Sequence, residues 1–111
     1  MARLVAQGFE IVARNVRVHR NELDLVVERD GAWWFVECKC RSRDDVGPPI
    51  RAIDGRKRAA LYRAAREFVA RRGFRGDWGF LAASIVWMAA GGAPRIEVAR
   101  LAIGPGAVER D

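Results

Sequence analysis

Long hydrophobic runs are missing from this sequence. No stretch reaches the roughly 18 apolar residues of a membrane span; the uncharged run from Phe80 to Pro94 is too short and contains Gly91-Gly92. Met1 to Gly8 has no signal-peptide hydrophobic region, so a cytoplasmic protein without a membrane partner is expected. Cysteine is scarce. Cys38 and Cys40 are the only two, and the only histidine is His19, too few ligands of that kind for a four-coordinate zinc site. Thiols two residues apart on one strand are badly placed for a disulfide, so both are expected as small core residues. Lysine is scarcer than arginine: Lys39 and Lys57 stand among 20 basic residues. Internal repeats and interdomain linkers are absent as well.

What is present is an apolar half and a basic surplus. With 111 residues, half of them hydrophobic, residues 1–111 are expected to form one domain with its own core. The net charge is +6, and basic residues are densest between Arg51 and Arg75, where nine Arg or Lys meet two acids. Such a surface suits a polyanion, with nucleic acid the default partner.

Hydrophobic periodicity predicts the elements. Ala2 to Gln7 reads as the last turns of a helix closed by Gly8, a first helix cut short at its start that more of the natural protein upstream, a second copy or a partner chain would complete. Phe9 to Val18 reads as a strand, and His19-Arg20-Asn21 as a turn in which Asn21 is able to take positive φ. Glu22 to Arg29 and Ala32 to Arg41 form a hairpin, and Ser42 to Pro49 a loop. Ile50 to Arg72 is a helix that Gly73 ends, with Ile53, Lys57, Leu61, Ala64 and Phe68 on one face. Lys57 either snorkels at the edge of that stripe or reaches across to a carboxylate. Phe80 to Met88 reads as a central strand buried on both faces, and Arg95 to Ile103 as an edge strand. The order α-β-β-β-α-β-β implies an α/β fold, a mixed sheet with helices against it.

The hairpin carries the chemistry. Asp30-Gly31 suits a type I′ turn, whose two central residues need φ > 0. Counting back from it, Val27 faces Trp34, Asp24 faces Glu37 and Glu22 faces Lys39, all four polar residues sharing one face. Like charges directly opposed, about 5 Å apart at Cβ, repel. A divalent cation between Asp24 and Glu37 would remove that cost. The other face, with Leu23, Leu25, Val27, Trp34, Val36 and Cys38, is expected to pack on the core. Val26, Phe35 and Trp33 imply that the charged face is partly covered too, so that its acids line a cleft.

Two close carboxylates suit Mg²⁺ or Mn²⁺, hard cations that keep several waters. Asp24 and Glu37 are the candidate ligands, with the Cys38 carbonyl a third. Lys39 suits the attacking water or the developing charge, and Glu22 can pair with Lys39 or hold a metal-bound water. A plain Glu22–Lys39 salt bridge beside two exposed acids accounts for the same residues.

Asp24 followed by Glu37-Cys-Lys39 and a basic helix resembles the PD-(D/E)XK nuclease superfamily. More closely, the chain is similar to the YraN-like family of endonuclease-like proteins over about residues 2 to 88. Asn21-Glu-Leu-Asp-Leu-Val26 matches that family's Gly-Glu-Ile-Asp-Leu-Ile, and Phe35-Val-Glu-Cys-Lys-Cys-Arg41 its Phe-Val-Glu-Val-Lys-Thr-Arg. Gly8 to Asn15, Gly47-Pro48 and Ala52-Ile-Asp-Gly-Arg-Lys57 follow its flanking motifs. The resemblance implies a restriction endonuclease-like αβββαβ core, a mixed central sheet flanked by helices. It places Asp24, Glu37 and Lys39 on metal and catalytic positions, Glu22 on the signature acid and Lys57 on the helix lysine. Asn21, Cys38 and Cys40 depart mildly from the pattern. Leu81 stands where the family's Arg-Phe-Asp motif has its acid. The expected function is metal-dependent hydrolysis of DNA, with Arg17, Arg20, Arg41, Arg43, Arg56, Lys57 and Arg58 as phosphate contacts. The alternatives are a non-catalytic nucleic-acid-binding module on the same scaffold and a structural domain completed by another chain.

Overall fold

The structure is a computed structural model that describes residues 6–42, 55–87 and 95–103, with the backbone alone at 39–42 and 87. The elements run β1 (Glu10–Val18), β2 (Asn21–Arg29), β3 (Ala32–Ser42), helix α1 (Gly55–Arg72), β4 (Trp78–Trp87) and β5 (Arg95–Leu101). They build one five-stranded sheet in the order β1-β2-β3-β4-β5. β3 and β4 are parallel and the other neighbours antiparallel. A parallel pair needs a long crossover, and α1 lies within it. The fold is therefore α/β with a mixed sheet, compatible with an endonuclease-like core.

Local chemistry explains the turns. Asp30 and Gly31 have φ of 54° and 80°, as a type I′ turn requires, and the pairs Arg29–Ala32 and Val27–Trp34 follow. Gly73 ends α1 at φ 64°, and Gly8 has φ 91°. The expected helix before Gly8 lies mostly outside the described residues, as do the loop from Arg43 onward and the helix start at 50–54. In the β1–β2 turn the left-handed residue is His19, at φ 56°, and not Asn21, which already pairs with Val18 in the ladder.

Two cores pack on the two faces of the sheet. On one, Leu61, Ala64, Ala65 and Phe68 of α1 cover Val18, Leu23, Val26, Trp33, Phe35, Phe80 and Ala82. Trp33 stacks on Phe74 at 4.0 Å, and Phe68 meets the Phe35 ring edge-on at 6.0 Å. On the other face Phe9, Leu25, Val27, Val36, Leu81 and Ala83 form a smaller cluster. The face expected to be only partly covered thus holds the main core. β4 is buried on both sides, as its apolar run implies.

Two expectations about β2 and β3 need correction. Their pairing stops at Leu25–Val36, so neither Asp24–Glu37 nor Glu22–Lys39 forms a ladder pair. Beside Asp24, β1 is bent at Asn15, a non-glycine residue at φ 53°, and the β1–β2 ladder skips the Asn15–Asp24 rung. β2 stays with bent β1 and leaves β3, which also spares the two acids a direct opposition. Leu23 consequently joins the helix-side core while Leu25 faces the other way. Cys38, expected in the core, is exposed, because β2 no longer pairs beside it.

Candidate functional site

Where β2 and β3 separate, side chains replace the lost ladder bonds. Asp24 Oδ2 accepts a hydrogen bond from the Cys38 amide at 2.9 Å. The carboxylate thus takes the place of a strand carbonyl, which satisfies a backbone donor that the separation would strand. Glu37 is 8% exposed, and a carboxylate so buried needs compensation. Lys57 supplies it from the first turns of α1, its Nζ 3.2 Å from Glu37 Oε2. Of the two readings of Lys57, the cation reaching across to a carboxylate, that of Glu37, is the one observed.

Asp24 and Glu37 line the same small cavity, together with Leu23, Phe35, Leu61 and Phe80. Its volume is about 10 Å³, close to what one water needs. Carboxylates are hard oxygen donors, so Asp24 and Glu37 are of the residue type that Mg²⁺ or Mn²⁺ takes, although the cavity they border is otherwise lined by apolar side chains. Among the described residues, no third His, Cys, Asp or Glu joins them. The repulsion that a cation would relieve is already reduced by the Cys38 amide and the Lys57 ammonium.

The remaining candidates are scattered. Glu22 is exposed, pairs across the ladder with Arg17 and does not line the cavity. Lys39 lies two positions beyond Glu37, in register with Ser84 of β4. Ser84 is fully buried, and its Oγ has no hydrogen-bond partner among the described residues. Arg17 and Arg20 are exposed at the β1–β2 end, Arg56 is exposed at the start of α1, and Arg58 is half-buried. Arg41 is described by its backbone, opposite Val86, and Arg43 lies outside the described residues.

Arg63 and Arg66 escaped the sequence reading. With His19, Arg20 and Asn21 they line an open groove of about 870 Å³ between the β1–β2 turn and α1. Their signal was helical spacing: Arg63, Arg66, Glu67 and Ala70 fall at i, i+3, i+4 and i+7 on the flank of the apolar stripe. Among the described residues, no helix is long and apolar enough to cross a membrane.

Comparison with known proteins gives a consistent match. The model of a family described as "Uncharacterised protein family UPF0102" matches residues 1–99. A UPF0102 protein of Solibacter usitatus is 43% identical over 96 residues, which covers 85% of this chain and 71% of the relative. One from Prosthecochloris aestuarii is 38% identical over 66 residues, 60% of this chain and 52% of the relative. One from Burkholderia pseudomallei is 46% identical over 67 residues, 60% of this chain and 46% of the relative. The match thus spans about half the length of the last two relatives.

Proposed function

The chain belongs to the uncharacterised protein family UPF0102, and from the two acidic residues that line one small cavity we propose that it hydrolyses DNA phosphodiester bonds with a divalent metal. Membership bears out the likeness of its two central motifs to the YraN-like family. The step from family to nuclease is our own reading. The observation that carries it is that Asp24 and Glu37, on the two arms of the hairpin, share the cavity where β2 and β3 part.

Asp24 and Glu37 would hold Mg²⁺ or Mn²⁺, with the Cys38 carbonyl as a third donor. When bound, such an ion polarises a phosphate oxygen and makes a coordinated water more acidic. The chain's own groups do the rest. The Cys38 amide orients Asp24, and Lys57 holds the Glu37 carboxylate at the cavity. Lys39, placed two positions beyond Glu37 on β3, is given the role that the motif implies, to orient the attacking water or to meet the negative charge that develops on the phosphate and leaving oxygens. Glu22, outside the cavity, is assigned no step.

The test is cleavage of plasmid DNA with Mg²⁺ or Mn²⁺ by wild type, Asp24→Asn and Lys39→Ala, with circular dichroism to show that the variants fold. Cleavage by wild type that both variants lose supports the assignment. Undiminished cleavage in both overturns it. The Glu37–Lys57 pair favours a second reading, a nucleic-acid-binding module in which that lysine keeps the carboxylate site closed. That reading expects salt-dependent DNA binding, no cleavage, and no metal binding by calorimetry.

A further inference from the structure

The groove beside α1 plays no part in the carboxylate cavity, yet it has the stronger positive charge. Arg20 stands on its β1–β2 side, Arg63 and Arg66 on its helix side, and all three are exposed. The one acid in its lining, Glu67, is already matched, since its Oε2 accepts a hydrogen bond from Arg71 Nε at 2.9 Å. An open, concave surface with three arginines on facing walls suits a chain of phosphates, because each guanidinium offers a planar fork of donors to phosphate oxygens.

We propose that this groove holds the sugar-phosphate backbone of a DNA duplex, through Arg20, Arg63 and Arg66. The choice of DNA rests on the hydrolytic reading above. The choice of duplex comes from the lining. Proteins that grip single strands stack bases on a row of aromatic rings, and this lining holds no Phe, Tyr or Trp, its one ring being the His19 imidazole. The half-buried Trp34 and Trp78 border a different groove at the other end of β2 and β3, where Arg100 already covers the Trp34 ring at 5.2 Å. With three arginines and a single small ring, the groove is suited to positioning a backbone and not to stacking successive bases. Arg20 precedes Asp24 by four strand residues, about 13 Å at 3.3 Å per residue, a span of a few successive phosphates of one strand. Backbone seated on Arg20 therefore passes close to the carboxylates.

Fluorescence anisotropy of a labelled DNA duplex, in EDTA and over a range of NaCl, tests the groove without any catalysis. We expect wild-type affinity to fall steeply with salt. Arg63→Gln with Arg66→Gln should weaken low-salt binding about tenfold or more and flatten the log–log salt slope by about two. Arg75→Gln with Arg95→Gln removes the same charge from exposed positions outside the groove and should leave the slope as it is. Should the double variant fail to fold, each single substitution is expected to flatten the slope by about one. An unchanged slope in the groove variants, an equal effect in the control pair, or equally tight binding of single-stranded DNA or duplex RNA overturns the proposal. Wild type that binds as expected but never cleaves DNA removes the hydrolytic reading and leaves the groove. Cleavage by wild type that the groove variants match in rate and KM overturns the groove and leaves the hydrolysis.

Discussion

Glu37 is the residue on which the site turns. Its side chain is 10% exposed while that of Lys57, 3.2 Å away, is 47% exposed. An ion pair with one partner half in water is worth less than a fully buried one. Removing Lys57 still leaves a carboxylate that water reaches poorly. We expect Lys57→Met to destabilise the protein by about 1–2 kcal/mol, and Glu37→Gln in the same background to recover part of that loss. A urea double-mutant cycle should therefore give a coupling of about 1 kcal/mol; a coupling near zero would mean that the pair is merely a surface contact. Helical spacing brought Lys57 onto the inward stripe of α1, but spacing along one element cannot say what lies opposite. That information resides in how α1 crosses β3. Cys38 shows the converse limit: alternation assigned it to the core, and alternation presumes a neighbouring strand, which β2 ceases to be beyond Leu25.

Among the elements, the hairpin was the most legible, because Asp-Gly commits two adjacent residues to positive φ and thereby sets the register at that end. The helix was legible through Leu61, Ala64 and Phe68, all buried as their spacing implies. The bend in β1 was not. Asn15 sits inside a strand of β-branched and basic residues, and asparagine merely permits the left-handed region without demanding it. A second irregularity, the shift between Ile11 and Ala13, sends Ile11 to one core and Val12 and Ala13 to the other. If the Asn15 bend draws β2 away from β3, it also places Asp24. Asn15→Val, with a β-branched side chain at φ 53°, should cost about 1–2 kcal/mol and weaken Mn²⁺ binding by calorimetry. Asn15→Gly meets no such steric penalty and should keep both stability and binding. Equal metal affinity in a folded Asn15→Val would separate the bend from the site.

For the molecule as a whole, the net charge is +6, and three of its arginines meet in one groove. Arg20 comes from a strand turn and Arg63 and Arg66 from a helix some forty residues later, so folding concentrates charge that the unfolded chain spreads out. Composition revealed the surplus, but only the packing of α1 beside the β1–β2 turn shows where it gathers. Thermal stability gives a direct measure of that gathering. A ligand that binds the folded state alone, at 100 times its Kd, adds about 2.7 kcal/mol. A basic unfolded chain also binds DNA, and that binding subtracts from the gain, so a rise in Tm reports the surplus affinity that the fold creates. We expect a DNA duplex in EDTA at low salt to raise the wild-type Tm by several degrees, and the rise to vanish as salt approaches 200 mM and phosphate contacts lose their counterion-release advantage. Arg63→Gln with Arg66→Gln should abolish most of the rise without lowering the Tm measured in the absence of DNA, since both side chains are exposed. A fall in wild-type Tm on adding duplex would mean that DNA prefers the unfolded chain, and the basic surplus would then be a property of composition and not of the folded surface.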